Sequence, residues 1–204
     1  MAIEHRVAED VPVIEVRPGG RRRIDRVLSP EYVADLAALD LAEVRVRRDD
    51  AAQEETDLSY LRRLLHGRID IVRAEQRRRA TGESTSVVDQ LAAILADNAV
   101  APATGSGRYQ SMEPSRAEAH RRHVEALVSD ADLSDVGSLS DDRLALALLT
   151  YQQEESSVSQ RRREVQRVMD LLNDEIGGRY RAGSASVDEL LAAERGKRPE
   201  GDRR

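Results

Sequence analysis

Sliding the chain against itself by 100 positions lays Gln53-Glu54-Glu55 on Gln153-Glu154-Glu155, Ser59 on Ser159, Arg62-Arg63 on Arg162-Arg163 and Asp70 on Asp170. These are seven identities in eighteen ungapped positions, where chance in so biased a composition gives roughly one or two. The apolar positions agree in type as well: Leu58 with Val158, Leu65 with Val165, Ile69 with Met169 and Val72 with Leu172. Two copies of one element that bury the same side can bury it against each other, so the repeat predicts a fold built on a paired element.

That element is a helix. Ser29-Pro30-Glu31 carries an N-cap residue, a proline at the first helical position and an acid in the first turn. No proline follows until well past Thr81, so residues 29–81 read as a first long helical arm, broken or kinked near Asp40. Leu58, Leu61, Leu65, Ile69 and Val72 recur at spacings of three and four, the seam of a coiled coil. Ser140-Asp141-Asp142 opens the second long helix, residues 139–178, with Val158, Val165, Met169, Leu172 and Ile176 as its seam and Gly177-Gly178 as its end. The composition agrees, for the chain has no Phe, no Trp and only five Tyr, while 34% of its residues are charged. Aromatic side chains supply much of the area of a thick core. Leu, Val and Ala suffice for a narrow seam between helices. The expected fold is all-α: an antiparallel coiled-coil hairpin of two pseudo-repeated long helices with short accessory helices.

The remaining segments are accessory. Residues 1–28 mix Pro12, Pro18, Gly19 and Gly20 with charge and read as a flexible N-terminal arm. Residues 82–138 read as short helices and a flexible connection: an amphipathic helix from Ser84 to Asn98, a Gly- and Pro-bearing linker over 99–114, a helix from Ser115 to about Ser129, then a polar turn. Residues 179–204 read as a short C-terminal helix and a charged tail.

The polar identities carry the functional argument. Glu55, Ser59, Arg62, His66 and Asp70 are spaced four, three, four and four, which places them within about 80° of arc along about 22 Å of helix. Glu155, Ser159, Arg162, Gln166 and Asp170 repeat the stripe. Charged helix faces are common and pair with one another in any surface helix; the repetition sets these apart. Two such stripes on related helices make a surface with internal two-fold symmetry, matched by a ligand with a two-fold of its own. Arg can donate twice to guanine O6 and N7 or to phosphate, and a carboxylate can accept from guanine N1 and N2. Ser and Gln add neutral bonds.

Other chemistries lack a constellation. There is no Cys, which excludes disulfides and thiolate catalysis and leaves metal sites only His and carboxylates. His120 and His123 have no partner set in the sequence and read as exposed helix residues. No nucleophile elbow or glycine-rich phosphate loop appears, so the chain is not expected to be an enzyme. Gly67, inside the first helical run, reads as a tolerated glycine. The formal net charge of -6 disfavours direct DNA binding, although the clusters Arg21-Arg22-Arg23, Arg77-Arg78-Arg79 and Arg161-Arg162-Arg163 can each meet phosphate. No apolar run approaches the roughly 20 residues of a membrane span. The expectation is a cytoplasmic protein without membrane contact.

The pattern E-x3-S-x2-R-x3-Q-x3-D, complete in Glu155–Asp170 and present in Glu55–Asp70 with His66 in place of Gln, resembles the signature of the RsiG anti-sigma factors of sporulating actinobacteria. The resemblance implies an antiparallel hairpin that holds the second messenger cyclic di-GMP, two molecules of it, between the motif helices. So loaded, it would sequester a WhiG-type sporulation sigma factor and repress its transcription. It also implies that Arg62, Asp70, Arg162 and Asp170 contact guanine or phosphate, with Glu55, Ser59, His66, Glu155, Ser159 and Gln166 completing the site. The alternative is a structural coiled-coil interaction module without a nucleotide ligand.

Overall fold

The computed structural model of the chain describes residues 14–82 and 133–183. Within them lie a short helix α1 (Arg23–Val27) and two long helices, α2 (Leu41–Thr81) and α3 (Asp141–Arg181). Single 3-10 turns stand at Pro30–Tyr32, Leu36–Ala38 and Leu133–Ser138, and no strand occurs among the described residues. Each long helix has 41 residues, a length of about 60 Å. They run antiparallel, for Arg45 near the start of α2 bonds the Tyr180 hydroxyl near the end of α3. At the other end Arg79 of α2 reaches Asp141 of α3 at 2.6 Å. The hairpin expected from the repeat is therefore the fold found.

A seven-residue rhythm holds the pair together. Val44, Ala51, Leu58, Leu65 and Val72 on α2, and Leu144, Tyr151, Val158, Val165 and Leu172 on α3, are all fully buried. This strict heptad keeps each seam turned toward its partner. Each fully buried Leu or Val contributes roughly 1.5–3 kcal/mol relative to exposure. Met169 and Ile176, expected in the seam, pack against it from a partly buried position.

The helix ends are fixed by side chains. Asp40 caps α2 by accepting from Glu43 N at 2.7 Å, and Ser140 caps α3 by accepting from Arg143 N at 3.3 Å. Gly82 closes α2 with a left-handed φ of 70°, its N–H turned back to Arg78 and Arg79 carbonyls. The break expected near Asp40 is present, but the stretch from Ser29 to Leu39 is two 3-10 turns rather than helix, with Asp35 left-handed between them at φ 51°.

A second duplicated device clamps both ends of the hairpin. Arg79, held by Glu75 at 2.6 Å, donates to Gly137 O at 3.1 Å just before α3 begins. Arg179, held by Glu175 at 2.8 Å, donates to Leu36 O at 2.6 Å and Leu39 O at 2.8 Å just before α2 begins. These anchors correct the expectation that α3 ends at Gly177-Gly178. The helix continues to Arg181 because Arg179 and Tyr180 are tied to α2's N-terminal end, outweighing the low helix propensity of two glycines.

The flexible arm expected over residues 1–28 is also corrected from Ile14 onward. Ile14, Ile24 and Val27 belong to the core, at 2%, 0% and 0% exposure. Asp25 organises the segment by accepting from Arg17 N at 2.9 Å and from Arg22 Nη2 at 2.6 Å. A side chain at Gly20 would collide with the Asp25 carboxylate, which explains the glycine. Charge and prolines hid a segment whose apolar residues are few but well placed. The expectations for residues 1–13, for 83–132, including Ser84–Asn98, 99–114, Ser115–Ser129, His120 and His123, and for the tail beyond 183 lie outside the described residues.

Candidate ligand-binding site

On a helical wheel, Glu55, Ser59, Arg62 and His66 fall on one side of Leu58, and Glu54, Asp57 and Leu61 on the other; the same holds in α3 about Val158. The antiparallel register then sets the two motif stripes on one shared face of the hairpin. Arg62 Nε donates to Glu155 Oε1 at 2.9 Å and to Ser159 Oγ at 3.0 Å. Arg162 Nε donates to Glu55 Oε1 at 2.7 Å and to Ser59 Oγ at 2.8 Å. Each serine in turn donates to the glutamate of its own helix, Ser59 to Glu55 at 2.9 Å and Ser159 to Glu155 at 2.6 Å.

The fourth motif position completes the symmetry. Gln166 Nε2 donates to Glu55 Oε1 at 3.2 Å, and His66 Nε2 lies 3.1 Å from Glu155 Oε1. Eight of the ten residues expected to form the site thus bond to one another in two matching halves. Asp70 and Asp170 continue the stripes one turn further, toward opposite ends of the hairpin, with Asp170 exposed and Asp70 half-buried.

The electrostatics of the network suit a site that keeps its carboxylates ionised. Burial pushes the Glu155 carboxyl up, but hydrogen bonds from Ser159, Arg62 and His66 outweigh it and hold it below the usual glutamate range. The arginines are left only half satisfied: among the described residues Arg62 and Arg162 bond through Nε alone. Their side chains are 41% and 31% exposed. Each guanidinium is therefore anchored at its inner nitrogen and presents the two terminal nitrogens outward, the edge that grips phosphate or guanine O6 and N7 in pairs.

Sequence reasoning found the stripes but not that each arginine is held by the opposite helix. It also missed the clamps, although Glu75 with Glu175 and Arg79 with Arg179 are further identities at the same spacing of 100. Among the described residues no group of three or more His, Asp or Glu is placed to hold a metal, and no helix is long and apolar enough to cross a membrane.

Fold and site together define a duplicated helical hairpin with a two-fold-symmetric polar centre. A family model described as RsiG-like matches it in two blocks, residues 30–95 and 130–194. These blocks carry both motif copies and cover more than half of the chain, which belongs to the RsiG-like family. Membership suggests an anti-sigma factor role, with a sigma factor as the kind of partner. A comparison with curated proteins finds no match.

Proposed function

We propose that the chain is a non-enzymatic, cytoplasmic anti-sigma factor that binds cyclic di-GMP on the face shared by its two motif stripes and sequesters a WhiG-type sporulation sigma factor. The observation that carries the reading is the pair of Nε-anchored arginines, Arg62 and Arg162, related by the internal two-fold with their terminal edges free. Anchoring removes rotamer freedom before the ligand arrives, so less entropy is lost on binding. Cyclic di-GMP has its own two-fold, two guanines and two phosphates; a stacked pair of molecules presents four bases to the stripes. Arg62 and Arg162 would take O6 and N7 or phosphate, Asp70 and Asp170 would accept from N1 and N2, and Glu55, Ser59, His66, Glu155, Ser159 and Gln166 would hold the arginines in place.

One observation favours the ligand-free coiled-coil alternative: Glu55 and Glu155 are already satisfied within the hairpin. A single calorimetric titration with cyclic di-GMP separates the readings. The proposal expects saturable binding at two nucleotides per chain and, with nucleotide present, co-elution with the sigma factor. Absence of heat at millimolar nucleotide would leave the structural module.

A further inference from the structure

The two long helices are treated differently on the face opposite the polar network. On α2 that face carries Asp50, Glu54 and Asp57, and α1 docks on it. Arg23 Nη1 lies 2.8 Å from Asp57 and 3.6 Å from Glu54, while Arg26 Nη2 lies 3.3 Å from Asp50. Ile24 and Val27 bury their side chains completely alongside. Val46, 59% exposed, lines the open cleft of about 440 Å³ beside α1 together with Arg26, Tyr32 and Arg47.

One hundred positions on, α3 presents Leu146, Thr150, Glu154 and Ser157 in the same places. Glu154 is retained from the first copy and is just 6% exposed, yet its Oε2 has no hydrogen-bond partner among the described residues. Tyr151, one turn earlier, is fully buried with its hydroxyl also unpartnered there. Leu146, the counterpart of Val46, is 64% exposed. Ile14 reaches α3 only at Ser157, through its N–H at 3.4 Å, and at Arg161, through its carbonyl at 2.9 Å. A nearly buried carboxylate without a cation is costly. Burial accordingly pushes the Glu154 carboxyl up to about 7. The same glutamate in the first copy has Arg23 beside it.

We propose that the α3 face from Leu146 to Ser157 is a second docking site, the two-fold twin of the α1 site, and that it takes a short helix of the sigma-factor partner presenting a Lys or Arg to Glu154 and aliphatic side chains to Leu146. The model for the occupant is α1 itself, Arg23-Ile24-Asp25-Arg26-Val27, in which one arginine meets the glutamate and two aliphatics meet the seam. Because Thr150 and Ser157 replace Asp50 and Asp57, one cation suffices on the α3 side. This face is separate from the nucleotide face, so the two can be perturbed independently, although the choice of partner rests on the anti-sigma reading.

The test compares sigma-factor and cyclic di-GMP affinities of the full chain with those of Glu154→Gln and Leu146→Arg. Both variants are expected to bind nucleotide as the parent does and to lose about tenfold or more in sigma affinity, the order seen when one partner of a buried charge pair is removed. Leu146 is exposed, so its variant folds whatever becomes of Glu154. Unchanged sigma affinity in both variants overturns the docking site. If the parent binds no sigma factor, the anti-sigma reading fails, and a peptide of residues 14–28 added in trans decides the site. Amide shifts over 146–157 that vanish in Glu154→Gln support it, and no shifts overturn it.

Discussion

Nε2 of His66 stands 3.1 Å from Oε1 of Glu155, in the place that Nε2 of Gln166 holds 3.2 Å from Oε1 of Glu55. A ring nitrogen that close to a carboxylate oxygen carries the proton, so histidine reproduces the amide's donation with a different scaffold. The one departure from the repeated motif is thereby absorbed without loss of the two-fold. His66→Gln is expected to leave cyclic di-GMP affinity close to that of the parent, measured by calorimetry. A large loss would mean that the imidazole does something the amide cannot.

The arginines are different. Arg162→Ala removes the outward edge offered to the ligand and also strips Glu55 of its charged partner. Loss of a charge-assisted contact in a partly dry site is expected to weaken cyclic di-GMP binding by about 1.5–3 kcal/mol. Arg62→Ala is expected to match it, since its contacts to Glu155 and Ser159 are the same. Binding by Arg162→Ala as tight as the parent's would place the nucleotide elsewhere.

Glu75 gives the hairpin a pH dependence of known sign. Hydrogen bonds from Arg78, opposed by burial and aided by Arg79, hold its carboxyl down at about 2, against 4.5 for an ordinary glutamate. The depressed folded-state value means that its stabilisation is present above 4.5 and is lost as pH falls toward 2. Glu154 has the opposite sign, pushed up by burial to about 7. Its folded form binds a proton that the unfolded chain has released, so stability falls as pH rises from 4.5 to about 7. Glu154→Gln is expected to remove that decline and raise stability at pH 8 by roughly 1–3 kcal/mol. Urea unfolding at pH 5 and pH 8 checks it; a parent and variant with equal pH slopes would contradict the assignment.

How much of this was legible in the sequence depends on which force set each feature. The seam of Leu58, Leu65 and Val72 could be read because burial follows helical period, and the stripe of Glu55, Ser59 and Arg62 because it repeats at one spacing. Ile14, Ile24 and Val27 could not be read as core, since they are isolated apolar residues in a charged segment and acquire their place only from Asp25 and the hairpin behind it. The passage of α3 through Gly177-Gly178 was equally hidden: local propensity argued for an end, and the bonds of Arg179 to Leu36 and Leu39, more than a hundred residues away in sequence, decide otherwise. Cross-helix partners such as Arg62 and Glu155 follow from the register of the antiparallel pair, which periodicity within one helix does not fix.

The last prediction concerns how the two proposed ligands affect each other. The polar network lies on an open face between two helices, with Arg62 and Arg162 partly exposed. Two molecules of cyclic di-GMP seated there cannot be enclosed by the hairpin alone, so the loaded face itself remains open to a partner. A sigma factor that touches the loaded face gains contacts the empty chain lacks, and its affinity for the loaded form is then higher. Linkage requires the nucleotide to be held more tightly by the same factor once the sigma factor is bound, typically about 5- to 150-fold for couplings of about 1–3 kcal/mol. Arg162→Ala should lower this coupling as well as nucleotide affinity, whereas Glu154→Gln, acting on the opposite face, should lower sigma affinity for empty and loaded chains alike and leave the coupling unchanged. Four titrations, each component with and without the other, measure both quantities. Equal sigma affinity for empty and loaded protein would remove the signalling role and leave a hairpin that holds the nucleotide without acting on it.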